Sequence, residues 1–357
     1  MKKIFSLLLI LCMLVPFAVA EEAAAVKTGL SFVTDLTSSK DGQAQANIAI
    51  TAVTVDENGV ITQCVIDVIQ GKVKFDETGK VTSDKAAEVQ SKQELGDGYN
   101  MRGASSIKAE WNEQANAFAA WCVGKTVEQL QAAELNENNQ VVDIVASCTL
   151  KVDEFLPGVV DAVAKAEHRG AKAGDVLKLT QTSNISSSKD ATAEAAGLAQ
   201  VYTHVGMFTL NGDVITSAYI DAVQANVQFN AQGKITSDIT AAVQSKNVIK
   251  EGYGMKAISP IGKEWYEQAA GFCAFITGKT LNEAIAIAAN EDEFTDTTVA
   301  YGTWEVKKFY RHLWKENQIK LDWNVPLTSM GGATSLELAD SAFEIFHITQ
   351  ETSGQSV

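Results

Sequence analysis

The sequence predicts an α+β fold made of two tandem homologous domains, each a mostly antiparallel sheet packed with helices. The chain has 357 residues, and one block of residues occurs twice with every position of the second copy numbered 154 higher. A repeat of this length has the size of a whole domain rather than of a solenoid unit. The first copy reads Ser91-Lys92, Gly98-Tyr99-Asn100-Met101, Glu110-Trp111-Asn112-Glu113-Gln114 and Gly124-Lys125-Thr126, and the second reads Ser245-Lys246, Gly252-Tyr253-Gly254-Met255, Glu264-Trp265-Tyr266-Glu267-Gln268 and Gly278-Lys279-Thr280.

Each copy begins with residues that are typical of β-strands. Residues 27–37 and 44–55 are rich in Val, Ile and Thr and alternate in part with polar residues. Asp56-Glu57-Asn58-Gly59 predicts a tight turn, and a third strand is expected from Val60 to about Ile69. The second copy repeats this order with Asn211-Gly212-Asp213 at the turn.

After the tyrosine of each block, the spacing of apolar residues changes to that of a helix. Ser105 or Ser106 is expected to cap a helix that runs to about Val123. Helical spacing places five apolar residues on one face of it, namely Trp111, Ala115, Phe118, Ala119 and Cys122.

The rest of the first copy predicts two more helices and a strand. Gly124 is expected to end the first helix, and Thr126 to cap a shorter second one. Val141 to Leu150 predicts a strand, and Asp153 a cap for a final helix to about Ala166. The domains are then expected at 21–167 and 175–316, with a basic linker at 168–174 and a tail at 317–357.

Residues 1–20 are typical of a secretory signal peptide. Lys2 and Lys3 precede an apolar run from Ile4 to Phe17, and Ala18-Val19-Ala20 forms a small-residue cleavage site. We expect a protein that is secreted or held on the outer face of a bacterial cell envelope. The formal net charge of −15 excludes nucleic acid as an expected partner.

Several enzyme classes are poorly supported. The Gly-Lys-Thr sequence lacks the upstream glycine of a phosphate-binding loop, because Ala119 and Cys273 occupy that position. The 4 histidines of the chain do not recur between the copies, and no Gly-x-Ser-x-Gly elbow is present. Asp67 and Asp221 are matched, and we expect each to be solvated or hydrogen-bonded to backbone.

The cysteines do not indicate a metal site. Cys64, Cys122, Cys148 and Cys273 remain after cleavage of the signal peptide, and none has a cysteine counterpart in the other copy or zinc-ligand spacing. Buried thiols are favoured over a disulfide.

The matched aromatic and thioether residues form a candidate ligand surface. Aromatic faces and a polarisable sulfur suit a flat conjugated ring. Helical spacing alone favours a core role for the two tryptophans over a ligand role. The candidates are Tyr99, Met101 and Trp111 in the first copy and Tyr253, Met255 and Trp265 in the second.

The end of the first copy carries a family resemblance. The segment from Val142 to Leu150, the helix after it, and Gly59-Val60-Ile61-Thr62 resemble the FMN-binding domain family of sodium-pumping and related redox complexes. The tandem arrangement is similar to exported two-domain flavoproteins of Gram-positive extracellular electron transfer. In that family, a flavin transferase attaches FMN through a phosphoester to a threonine near the end of the strand.

The family motif runs Asp, two residues, Ser or Thr, Gly, Ala, Thr. The resemblance places Asp143 at its aspartate and Thr149 at its acceptor threonine, whereas Ala146, Ser147 and Cys148 depart from the residues between. In the second copy Thr303 takes the acceptor position.

The resemblance implies an exported electron carrier with FMN, covalent through a threonine phosphoester, in one or both domains. It implies a flavin transferase, a membrane electron donor and an extracellular electron acceptor as partners, and no catalytic residues for a substrate of its own. The alternative is a secreted cell-envelope binding or structural module with the same fold that has lost flavin.

Overall fold

A computed structural model describes residues 23–259 and 261–285. Each copy of the repeat contributes one three-stranded antiparallel sheet in which sequence neighbours pair. We name residues 23–174 unit 1 and residues 175–285 unit 2. The strands of unit 1 are β1 (Lys27–Asp35), β2 (Gln43–Val55) and β3 (Ile61–Lys74), and those of unit 2 are β4 (Val176–Asn184), β5 (Gly197–Asn211) and β6 (Val214–Phe229).

The helices follow the strands in each unit, which confirms the α+β class. Unit 1 contains α1 (Lys92–Leu95), α2 (Trp111–Cys122), α3 (Val127–Gln131) and α4 (Val152–Ala164), with 3-10 helices at Gly96–Tyr99 and Val142–Ile144. Unit 2 contains α5 (Lys246–Ile249), α6 (Trp265–Ile276) and α7 (Leu281–Ile285), with 3-10 helices at Lys250–Tyr253 and Met255–Ala257.

The two sheets pack face to face and share one hydrophobic core. Phe75 and Phe229 stack across it with ring centroids 3.9 Å apart and planes 6° from parallel. Gly71 is needed at this contact, because a Cβ there would lie 2.6 Å from Cγ1 of Val201. The inner faces of both sheets are therefore buried by each other rather than by helices.

Reciprocal contacts between equivalent residues join the units across this interface. The Val81 amide donates to Asp190 Oδ1 at 2.8 Å, and the equivalent Ile235 amide donates to Asp41 Oδ1 at 2.9 Å. Each unit thus uses an equivalent aspartate to cap a turn of the other unit, in the manner of an isologous dimer interface.

The outer face of the first sheet is covered by α2 and α4. Helix α4 approaches the backbone closely at Gly29, where a Cβ would lie 1.9 Å from the Ala162 carbonyl oxygen. Ser31 Oγ donates to the Gly158 carbonyl oxygen at 2.6 Å. Helix α6 covers the second sheet in the same way, so the layers run helix, sheet, sheet, helix.

The turn and several helix ends are as the sequence predicts. Asp56 Oδ1 accepts from the amides of Asn58 and Val60 at 2.8 and 2.9 Å, which closes the hairpin. Gly124 has φ +81° just after α2, and Thr126 caps α3 within a capping box. The five residues predicted to share the face of α2 are all buried.

The predicted strand from Val141 to Leu150 is wrong. Val141 forms only an isolated bridge with Leu135, and the chain then turns because Ile144 O accepts from the amides of Ser147 and Cys148, both at 2.8 Å. Thr149 therefore lies in a loop rather than on a sheet edge.

Two predicted helix starts are also wrong. Helix α2 begins at Trp111 with Glu110 as its N-cap, not at Ser105 or Ser106. Helix α4 begins one residue before Asp153, with Lys151 at the N-cap. Before α2, the Glu110 carboxylate accepts from the amides of Met101 and Arg102 and so holds the residues between as a loop.

The predicted linker contacts the residues just before β1, because the Val26 amide donates to Ala171 O at 3.0 Å. The signal peptide, Thr303 and the tail from 317 lie outside the described residues.

Within 23–259 and 261–285, no helix has the length and apolar character needed to cross a membrane.

Candidate functional site

The repeated block folds around a buried glutamate. Glu110 is 2% exposed, and its carboxylate accepts from the amides of Met101 and Arg102 at 2.8 and 2.9 Å. In unit 2, Glu264 accepts from the amides of Met255 and Lys256 at 2.9 and 3.0 Å. This carboxylate fixes the loop that carries the tyrosine and the methionine onto the first turn of the following helix.

The aromatic residues of unit 1 surround a lysine from their own chain. The Lys92 ammonium lies 4.7 Å from the ring centroid of Tyr99 and 5.2 Å from that of Trp111. These distances are those of cation–π contacts. Trp111 is otherwise in the core, against Phe155.

The equivalent lysine of unit 2 is more deeply buried. Lys246 is 3% exposed, and its ammonium lies 4.2 Å from the Tyr253 centroid, 4.6 Å from Tyr202 and 5.0 Å from Trp265. It also hydrogen-bonds the Tyr202 hydroxyl. The matched rings of both units thus contact an internal cation.

In each unit, a buried aspartate of the third strand accepts a hydrogen bond from the residue that follows the lysine. Asp67 accepts from the amides of Val68 and Gln93 at 2.7 and 3.1 Å, and burial raises its pKa to about 7. Asp221 makes the same contacts with Ala222 and Asn247, and burial raises its pKa to about 6. Of the two predicted alternatives, solvation or hydrogen bonds to backbone, the structure shows the second.

Thr149 is joined to the tyrosine loop through one glutamine. Its amide and its hydroxyl both donate to Gln114 Oε1, at 2.8 and 2.9 Å. Gln114 is fully buried, and its Nε2 donates to Ser105 Oγ at 3.1 Å. The Ser105 amide in turn donates to Met101 O at 2.9 Å.

The structure thus connects most candidates of unit 1, but not all of them. Tyr99 and Trp111 meet at Lys92, and Met101 is linked to Thr149 by Gln114. Asp143 is exposed on its 3-10 helix and takes no part in the contacts described above.

In unit 2 the same arrangement recurs for the described candidates. Tyr253 and Trp265 meet at Lys246, and Met255 Sδ lies 3.8 Å from Nε2 of Gln268. Thr303, the predicted acceptor threonine of this copy, lies outside the described residues.

Sequence reasoning gave no role to the residues that organise the site. These residues are a lysine, a glutamate and a glutamine from each copy of the repeated block. Their identity in both copies was the sequence feature that could have indicated a role. They are Lys92, Glu110 and Gln114 with Lys246, Glu264 and Gln268.

Three thiols of unit 1 contribute to its outer core. Cys64 hydrogen-bonds Cys122, which together with burial raises the pKa of the Cys64 thiol well above its ordinary value. Burial also raises the pKa of Cys148. Within the part of the chain that the structure describes, no group of three His, Cys, Asp or Glu residues is arranged to hold a metal.

No protein-family model, curated protein or solved structure matches the chain. Function has to be inferred from the residues of the chain itself.

Proposed function

We propose that the protein is an exported flavin-binding electron carrier, with FMN attached through a phosphoester to Thr149 in unit 1. One observation carries the proposal: Gln114 links the Thr149 hydroxyl to Ser105, and so to the loop that holds Tyr99 and Met101. A cofactor tethered at this hydroxyl begins two side-chain hydrogen bonds away from the loop that carries an aromatic ring and a thioether, groups suited to a flat conjugated ring.

The residues around Thr149 fit an esterified oxygen. The hydroxyl hydrogen that now reaches Gln114 is lost in a phosphoester. The Thr149 amide still donates to the same Gln114 oxygen at 2.8 Å, so the loop keeps its anchor without the hydroxyl. Thr149 is half-buried rather than enclosed, as access by a flavin transferase requires.

FMN supplies the redox chemistry when it is attached, and the chain binds and orients it. Glu110 holds the loop, and Lys92 places a positive charge beside Tyr99 and Trp111. A positive charge near a flavin ring favours its reduced, more negative form. The tether keeps the cofactor from being lost by dilution outside the cell. Electrons would pass from a membrane donor to an extracellular acceptor.

The first experiment compares two hydroxyl variants of the same loop. The mature chain is produced with and without a flavin transferase, and its visible absorbance and tryptic masses are recorded. We expect the peptide that contains Thr149 to gain the mass of FMN, and Thr149→Ala to abolish the gain. Ser147→Ala, which removes an exposed hydroxyl two residues earlier, should retain it. A colourless product with an unmodified peptide contradicts the proposal.

A second candidate function has its own support. The ring faces of Tyr99 and Trp111, and of Tyr253 and Trp265, contact the ammonium groups of the chain's own lysines. Rings that already contact a cation can serve as a closed structural cluster. This favours a secreted cell-envelope binding or structural module that has lost flavin.

Thermal-shift titration separates the two candidates, because a ligand that binds only the folded state raises the melting temperature. FMN and riboflavin are titrated into the unmodified mature chain. A shift with either supports a flavin site, and a fully folded protein that shifts with neither supports the second candidate.

A further inference from the structure

A cleft of about 780 Å³ lies where the end of unit 1 meets unit 2. The segment after α4 forms one wall, and β6, α5 and α6 form the others. The volume is within the range of small-molecule sites. The lining residues that bear on its chemistry are Lys165, Arg169, Tyr219, Asn247, Lys250 and Tyr266.

The cleft is separate from the proposed flavin site. Its α6 residues, such as Tyr266 and Ala270, are on a different part of the helix surface from buried Gln268. The structural counterpart of Gln268, Gln114, is the residue that contacts Thr149. A ligand in the cleft therefore need not interfere with a group at Thr149.

The cleft collects positive charge in an acidic protein. The chain has a formal net charge of −15, yet the lining includes the cations of Lys165, Arg169 and Lys250 and one acid, Glu167. Lys165 pairs with Asp161 at 2.5 Å and Arg169 pairs with Glu167 at 2.9 Å, whereas the exposed Lys250 has no ion pair among the described residues. The ammonium of Lys250 is therefore the charge that favours an anionic ligand.

The cleft also offers aromatic surface and the neutral hydroxyl of Tyr219. The Arg169 guanidinium lies 4.3 Å from the ring centroid of Tyr219, which fixes that ring in place. Burial raises the pKa of Tyr219 to about 12, so its hydroxyl stays protonated at neutral pH. Tyr266 adds a second ring, oriented by its hydroxyl hydrogen bond to Glu251 at 2.9 Å.

One acceptor beside the cleft lacks a partner. Asn247 Nδ2 donates to Ile220 O at 2.8 Å, while its Oδ1 is buried and has no hydrogen-bond partner among the described residues. A buried carbonyl oxygen without a donor is costly. A ligand hydroxyl, or water brought with a ligand, would satisfy it.

Unit 1 shows that the fold does not require these groups. At the equivalent positions it has Val65 for Tyr219, Asn112 for Tyr266 and Gly96 for Lys250. Lys250 also keeps a backbone φ of +51°, a left-handed value that favours the glycine found in unit 1. Unit 2 retains a lysine at a conformational cost, which indicates a use for its side chain.

We propose that this cleft is a binding site for a small aromatic carboxylate. Lys250 would pair with the carboxylate, and the rings of Tyr219 and Tyr266 would contact the aromatic ring. Lys250, Tyr219 and Tyr266 all belong to unit 2, and the site is independent of flavin at Thr149.

The test titrates the mature full-length chain with 4-hydroxybenzoate and measures binding by calorimetry and by ligand-observed NMR. We expect saturable binding. The neutral methyl ester of the same compound, and acetate, should each bind at least tenfold more weakly, because one lacks the charge and the other the ring. Equal binding of the ester or of acetate overturns the assignment, as does the absence of saturable binding of 4-hydroxybenzoate at millimolar concentration.

Variants place the binding within the cleft. Lys250→Gly installs the residue of unit 1 and relieves the positive φ, so the protein should fold and bind at least tenfold more weakly. Lys189→Gln, which removes an exposed charge elsewhere in unit 2, should bind as the parent does. Unchanged binding by Lys250→Gly would refute the site. Thr149→Ala should also bind normally, so the result does not depend on flavin attachment.

Discussion

Asp67 and Asp221 show how a duplicated position acquires an unusual chemical property. Each carboxyl is buried in a strand next to a short helix and accepts amide hydrogens from both elements. The hydrogen bonds favour the charged form, but desolvation by burial is the larger effect and raises the pKa to about 7 and about 6. The folded protein therefore holds these protons more tightly than the unfolded chain.

This difference predicts that stability falls as pH rises. The pKa is raised from 3.8 to about 7 for Asp67 and to about 6 for Asp221. Between pH 3.8 and these raised values, the folded state therefore binds more protons than the unfolded chain. The contribution of these two carboxyls to the free energy of unfolding should decrease from about pH 4 to pH 7, by a few kcal/mol in all. Urea denaturation across this range measures it.

The matched control is the double variant Asp67→Asn, Asp221→Asn, which keeps an acceptor oxygen but cannot ionise. It should show a markedly flatter pH dependence. A parent protein whose stability rises over the same range would show that the two carboxyls are charged in the fold.

Lys92 and Lys246 occupy equivalent positions in the two units but differ in burial, so their substitutions can be compared directly. Lys246 is 3% exposed and contacts three rings, whereas Lys92 is half-buried and contacts two. We expect Lys246→Ala to reduce the free energy of unfolding by roughly 2–3 kcal/mol and Lys92→Ala by about 1 kcal/mol. Chemical denaturation of both variants measures the order, and equal losses would contradict it.

At the scale of elements, one carboxylate decides where α2 begins. The loop before it contains serines that could cap a helix, yet Glu110 accepts the amides of Met101 and Arg102 and closes a capping box with Glu113. Two amides and a helix start depend on one buried side chain. The same holds for Glu264 in unit 2.

Removing this carboxylate should be costly. Glu110→Ala leaves two amides without their acceptor, and we expect a loss of about 2–4 kcal/mol in the free energy of unfolding. Glu137→Ala, at an exposed position, should change it by less than about 0.5 kcal/mol. Guanidinium denaturation gives both values. A small effect of Glu110→Ala would show that water replaces the carboxylate.

The sequence predicted elements whose causes are local. The turn at Asp56 and the helix end at Gly124 follow from single residues that suit those conformations. The strand at Val141–Leu150 failed because β-branched residues there are not paired with any neighbouring strand. Local composition cannot show whether a partner strand exists.

The candidate site was predicted as a set of ligand-facing groups, and its internal contacts were not. The lysines Lys92 and Lys246 meet the matched rings only after the chain folds back from the β-sheet. Gln114 and Thr149 are 35 positions apart in sequence and were linked by no pattern. The recurrence of Gln114 as Gln268 was the one indication that it mattered.

At the scale of the whole molecule, the inner sheet faces make the two units one structure. The shared core contains residues of all six strands, and the Phe75–Phe229 stack spans it. Reciprocal contacts from Asp41 and Asp190 close its rim. The repeat in the sequence indicated two domains, but it could not show which faces of their sheets were buried against each other.

This shared core predicts that damage in one unit reaches the other. Phe229→Ala should lower the free energy of unfolding by about 3–5 kcal/mol. Hydrogen exchange should then speed up in β2 of unit 1 as well as in β5 of unit 2. Phe275→Ala, which truncates a half-buried ring outside the shared core, should leave β2 less affected. Loss of protection confined to unit 2 would contradict the coupling.

The face-to-face pairing of the sheets also constrains the order of events during synthesis. When β3 has left the ribosome, the inner face of the first sheet, with Ile48, Ile50 and Phe75, lacks its complete partner sheet until β6 emerges more than a hundred residues later. For that interval the nascent chain carries a water-exposed apolar sheet, the kind of surface that invites self-association. A chaperone that holds this half of the polypeptide unfolded would prevent premature pairing between neighbouring nascent chains.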